Sequence, residues 1–146
     1  MKICCFAGHS NIYDNQEKLK FNLKNEIIKL IEKEKVNIFY CGGKGAFDWL
    51  CAKVINELKQ DHPFIKSYLI LAYLPTKNKT VYDDYVFSLF NETIYPDLEN
   101  IPPRFAILKR NEWMIKNSDF LISYVIYDWG GAAKAVEFAK KQKILR

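Results

Sequence analysis

"DFLISYVIYDWGGAAKAVEFAKK", from Asp119 to Lys141, is the stretch whose reading decides the fold. Its first part, Asp119 to Tyr127, is an almost unbroken apolar run with the length and β-branching of a strand buried on both faces. Its last part, Gly131 to Lys141, has the spacing of an amphipathic helix. Between them stand an aromatic hinge and the glycine pair Gly130 and Gly131. A fully buried strand that runs through glycine into a helix is one half of a parallel βαβ unit.

The same grammar recurs upstream. "KICCFAG" (Lys2 to Gly8) reads as a strand ending in Gly-His-Ser, and Leu19, Leu23, Ile27, Leu30 and Ile31 then mark a helix from about Gln16 to Lys35. "VNIFYC" (Val36 to Cys41) is a second strand, broken by Gly42 and Gly43. A second helix spans Ala46 to about Asp61 on Phe47, Leu50, Cys51, Val54, Ile55 and Leu58, with Pro63 as its stop. "IKSYLILAYL" (Ile65 to Leu74) is a third strand, Phe105 to Ser118 a third helix, and "KILR" at the end reads as the start of a fifth strand. The expected architecture is a three-layer α/β/α Rossmann-like sandwich with a mostly parallel sheet, in a single domain over residues 1–146. Residues Thr76 to Pro103 are long for a connection and are expected to form an insertion or lid. Their acids Asp83, Asp84, Glu92, Asp97 and Glu99 would repel a phosphate, so the lid would cover a base or a neighbouring subunit.

Composition narrows the classes. At 146 residues and 49% hydrophobic, the chain can bury one core. No apolar run reaches bilayer length and the N-terminus lacks a secretory pattern, so a cytoplasmic protein without membrane contact is expected. Cys4, Cys5, Cys41 and Cys51 lie in apolar segments without zinc-site spacing; they read as buried, reduced thiols, and no metal or cofactor is expected. The net charge of +5 is spread over the helices, which suits polyanions generally and does not favour nucleic acid.

In parallel sheets ligands lie beyond the carboxyl ends of the strands. Gly8, the Gly42–Gly43 pair with Gly45, and the Gly130–Gly131 pair all fall at such junctions. Glycine there lets the backbone approach an anion, while the next helix presents unpaired N–H groups; a phosphate is the expected occupant. For any one glycine, a tight turn or close helix packing is the competing explanation. Lys44 lacks the spacing of a P-loop, which excludes an ATPase of that class. Asp48 sits in the first turn of a helix, where a carboxylate also offsets the macrodipole. Arg110 lies in a helix otherwise patterned for burial by Phe105, Leu108, Trp113 and Met114, so an anionic partner is expected for it. Trp49, Tyr82, Tyr85 and Trp129 are candidate stacking partners for a base, Trp129 above the others because it adjoins the glycine pair.

"CFAGHS", "CGGKGAFDWLCAKVINELK", "RNEWMIKNSDFLISYV" and "GGAAKAVEFAKK" together resemble the SLOG superfamily, and within it the small YpsA-like members. The resemblance spans nearly the whole chain. It implies a Rossmann-like domain that binds nucleotides or nucleotide-derived ligands; its relatives include the lonely-guy phosphoribohydrolases, the DNA-processing protein A family and sensors of cyclic ADP-ribose signals. "RNEWM" looks like an altered lonely-guy motif, with Arg110 and Met114 in place and Asn111 where that motif has lysine. "WGGAAKAVE" matches its glycine-rich part through Gly130, Gly131 and Glu137, with Trp129 for proline, Ala133 for the third glycine and Lys134 for threonine. The YpsA-like pattern Gly-His-Arg after the first strand is Gly8-His9-Ser10 here.

The ligand site implied by these matches comprises Gly8, His9, Ser10, Gly42, Gly43, Asp48, Arg110, Asn111, Trp129, Gly130, Gly131, Ala132 and Lys134. A homodimer is likewise an implication of the resemblance. Three functions follow as expectations: a sensor or sponge for an ADP-ribose-type signal, an N-glycoside hydrolase of nucleoside monophosphates using Arg110 and Glu137, and an adaptor for nucleic acid or protein. For Glu137 the alternative is a surface ion pair with Lys134 or Lys141.

Overall fold

The computed structural model describes residues 1–12, 15–74, 87–126 and 129–141. Among them the chain forms strands β1 (Lys2–Gly8), β2 (Val36–Cys41), β3 (Lys66–Ile70), β4 (Glu92–Ile94) and β5 (Phe120–Tyr124). Helices α1 (Gln16–Lys33), α2 (Ala46–Leu58), α3 (Ala106–Lys116) and α4 (Gly131–Lys141) accompany them, with a single 3₁₀ turn, Pro103–Phe105, leading into α3. The strands form one sheet in the order β4-β3-β2-β1-β5. Every pairing is parallel, so the mostly parallel sheet expected from the sequence is parallel throughout.

Alternation along the strands builds two apolar layers. On β1, Cys4 and Phe6 face one side with Leu23, Ile27 and Leu30 of α1 and Leu50, Val54 and Ile55 of α2. Ile3, Cys5 and Ala7 face the other, against Met114 and Ile115 of α3 and Ala135 and Ala139 of α4. The three-layer sandwich of the sequence reading therefore holds, with α1 and α2 on one face and α3 and α4 on the other, and the sheet divides the buried apolar residues into two clusters. All four cysteines are free and buried, and burial raises their thiol pKa values.

Several boundaries differ from the sequence reading. The stretch 76–103 is not a loop throughout: Glu92–Ile94 adds an edge strand, fixed at its start by Asn91, whose Oδ1 accepts from the Ser67 N–H at 2.9 Å and whose N–H donates to the Ser67 carbonyl at 2.8 Å. β3 stops at Ile70, four residues short of Leu74. α2 ends at Leu58, three residues short of Asp61. The strand expected in "KILR", the hinge residues Tyr127 and Asp128, and the acids and tyrosines at 82–85 lie outside the described residues.

β1 is where the strand order reverses. β2, β3 and β4 follow one another to one side of it, and the chain then crosses to place β5 on the other. In an open parallel sheet this switch point leaves a crevice at the carboxyl ends of β1 and β5. His9 spans that crevice: its backbone N–H donates to the Tyr124 carbonyl at 3.2 Å, and its Nε2 accepts from the Ile126 N–H at 2.8 Å.

Candidate functional site at the switch point

A cleft of about 270 Å³ opens at the switch point. Its walls come from the end of β1 and the segment after it (Gly8, His9, Ser10, Asn11), the β2–α2 connection and first turn of α2 (Lys44, Asp48), α3 (Ile107, Arg110, Asn111) and the mouth of α4 (Trp129, Gly130, Gly131, Ala132). Residues up to 124 positions apart in the sequence thus meet because each follows a parallel strand or faces its end.

The glycines separate into different roles. At Gly8 a side chain would collide with the Phe47 ring, which stacks on Tyr124 at 5.6 Å; this glycine serves helix packing. At Gly42 a Cβ would come within 3.0 Å of both the Arg110 Cζ and the Asp48 Oδ2, so this glycine makes room for a buried charged pair. Gly130 has φ of +93°, a conformation that L side chains rarely adopt. Among the described residues, a Cβ on Gly130 or Gly131 would meet nothing within 4 Å.

The two junctions that precede helices also differ. At α2 the Ala46 N–H donates to the Ser10 carbonyl at 2.7 Å, which fills the first free donor of a helix that has no side-chain cap, and the Asp48 Oδ2 accepts from the Lys44 N–H at 3.0 Å just before the helix begins. At α4 the Lys134 N–H closes the first turn on the Gly130 carbonyl at 3.1 Å. The preceding N–H groups of such a turn have no intrahelical partner, and the residues that carry them, Gly131 and Ala132, line the cleft.

Arg110 is 2% exposed, although it carries a charge that water would stabilise. Its Nη1 donates to the carbonyls of Gly42 at 2.6 Å and Ile70 at 3.1 Å, and its Nε donates to the Asn111 Oδ1 at 3.0 Å. The sequence reading expected an anionic partner; backbone carbonyls supply much of the coordination, with Asp48 as the neighbouring carboxylate. Burial raises the Asp48 carboxyl to about 6, while Arg110 and the Lys44 N–H pull it back down. A buried acid that titrates near neutrality beside a fixed guanidinium can accept or donate a hydrogen bond to a ligand hydroxyl.

The expected site residues do not all converge. Gly8, His9, Ser10, Asp48, Arg110, Asn111, Trp129, Gly130, Gly131 and Ala132 line the cleft, whereas Gly42 holds Arg110 from behind and Gly43 lines an adjoining cavity. Lys134 and Glu137 line a separate outer groove between α3 and α4, and the Glu137 carboxylate lies 3.5 Å from the Lys140 Nζ. Arg110 and Glu137 therefore open onto different surfaces. Trp129, 66% exposed, stands on the rim between them. Asn11, Lys44 and Ile107 were missing from the sequence-derived set. Ile107 had a legible signal, since it lies one helical turn before Arg110 and so shares its face. Among the described residues, no three His, Cys, Asp or Glu side chains gather closely enough to hold a metal ion, and no helix is long and apolar enough to cross a membrane.

No family model matches the chain, and no curated protein matches it. Among solved structures it is similar to the X-ray structure of TM1055, a target of the Northeast Structural Genomics Consortium. The likeness has a TM-score of 0.58 at 16% identity and covers 97% of this chain and 70% of that one. It supports the Rossmann-like α/β fold.

Proposed function

We propose that the protein binds a nucleotide or nucleotide-derived ligand at the switch-point cleft, as a sensor or sponge for an ADP-ribose-type signal. One observation carries the reading: the Gly130–Gly131 pair at the N-terminus of α4 lines the same cleft as the buried Arg110 and Asp48, and among the described residues no atom lies within 4 Å of a Cβ built on either glycine. A helix N-terminus that borders a cleft suits a phosphate, and a buried carboxyl suits a ribose hydroxyl. The sequence resemblance to the SLOG superfamily supports the same ligand class.

A second reading, hydrolysis of an N-glycosidic bond in a nucleoside monophosphate, is favoured by the Asp48 carboxyl at the base of the cleft, with its pKa near 6. In that reading Asp48 takes the acidic role that the sequence motif suggested for Glu137, because Glu137 faces the outer groove.

The test is a thermal-shift screen with nucleoside monophosphates, ADP-ribose, NAD and cyclic ADP-ribose, followed by chromatography of each mixture. Stabilisation with intact ligand supports the sensor or sponge. Release of free base that Asp48→Asn abolishes supports the hydrolase, and a panel without any shift overturns both.

A further inference from the structure

A second cavity, of about 240 Å³, adjoins the cleft and is lined by Gly43, Lys44, Gly45, Trp49, Ala72, Tyr73, Ile107 and Arg110. Lys44, Ile107 and Arg110 line both spaces, so the two adjoin at these residues. The two have different chemistry. The first holds the α4 N-terminus, His9 and Asp48; the second holds two aromatic rings, Trp49 and Tyr73, at the carboxyl ends of β2 and β3. Each alone falls below the roughly 300–1,000 Å³ of ordinary small-molecule sites, whereas together they enter that range.

We infer that the two cavities are one bipartite site, in which the phosphate lies at α4 and the base lies in the Trp49–Tyr73 cavity, with the ribose passing Arg110 and Asp48. This inference rests on the phosphate-binding reading above and adds where the base goes. Arg110 donates to the Gly42 and Ile70 carbonyls and to the Asn111 Oδ1, so it stands as a fixed post where the two spaces adjoin and sets the separation of the two ligand ends. The Tyr73 hydroxyl donates to the Pro103 carbonyl at 3.1 Å, which holds that ring at the cavity edge. Aromatic faces accept any base by stacking, so the site selects for a nucleobase as a class.

The test compares adenosine 5′-monophosphate with ribose 5-phosphate by calorimetric titration of the full chain and of its Trp49→Ala and Tyr73→Ala variants. Trp49 packs partly on the core, and Tyr73→Ala keeps the test valid if the first variant fails to fold. The expected result is that each folded variant weakens the nucleotide by about tenfold and leaves ribose 5-phosphate unchanged. Equal loss for both probes, or no loss for either, overturns the assignment of the base while leaving the phosphate reading standing; the second pattern is what base stacking on Trp129 would give. Failure of the wild-type chain to bind either probe overturns the bipartite assignment, and a thermal-shift panel that is silent as well overturns the phosphate reading with it.

Discussion

A glycine's meaning lies in what surrounds the missing side chain, and two glycines of the cleft show opposite cases. Gly8→Ala would push a methyl group into the Phe47 ring and should lower stability by about 1–3 kcal/mol. Gly131→Ala adds a methyl where none of the described residues lies within 4 Å, in the first turn of a helix, and should leave stability unchanged or raise it by up to about 1 kcal/mol. Urea unfolding of the two variants measures the difference, and equal destabilisation would refute this division of roles. The sequence showed both glycines at strand ends, yet it did not distinguish them. Phe47 belongs to α2 and reaches Gly8 only through the tertiary packing of that helix on β1.

Among the elements, β1, β2 and α4 have the bounds that the sequence predicts, because their apolar runs are bracketed by glycine or a charged turn. β4 escaped notice for a physical reason. Three residues carry too little alternation to register, and its existence depends on β3 offering an edge. Its anchor is Asn91, whose side chain satisfies the N–H of the buried Ser67. Asn91→Ala should strip that donor of its partner, cost about 1–3 kcal/mol, and speed hydrogen exchange in residues 67–71 ahead of the rest of the sheet. Exchange mass spectrometry reads this directly; unchanged protection in that segment would mean that the ladder holds β4 without Asn91. The displaced pair Lys134 and Glu137 was legible in principle. At 3.6 residues per turn, Lys134 lies roughly 200° around the helix from Ala132. If Ala132 faces the cleft, Lys134 faces away from it.

For the whole molecule, the buried Asp48 ties folding to pH. Its carboxyl titrates near 6 when folded, against an ordinary value of 3.8, so the folded state holds this proton more tightly than the unfolded chain does. The stability this group contributes is complete below about pH 4 and is lost as pH rises through about 6, by up to ~3 kcal/mol. Other carboxylates titrate over the same range, so the informative quantity is the difference from Asp48→Asn. Between pH 4.5 and 7 the wild type should lose stability relative to that variant, and parallel urea-midpoint profiles would refute the assignment. The sequence placed Asp48 in the first turn of a helix but could not show its burial beside Arg110, because that pairing brings α2 and α3 together over Gly42. The cysteines lend themselves to a practical use. The chain has four, all interior, so a maleimide dye should find no native attachment point on the folded protein. With Asn11→Cys on the exposed lip of the cleft, the dye would attach at one place only, and its emission would turn the protein into an optical reporter of its own occupancy by an unlabelled ligand.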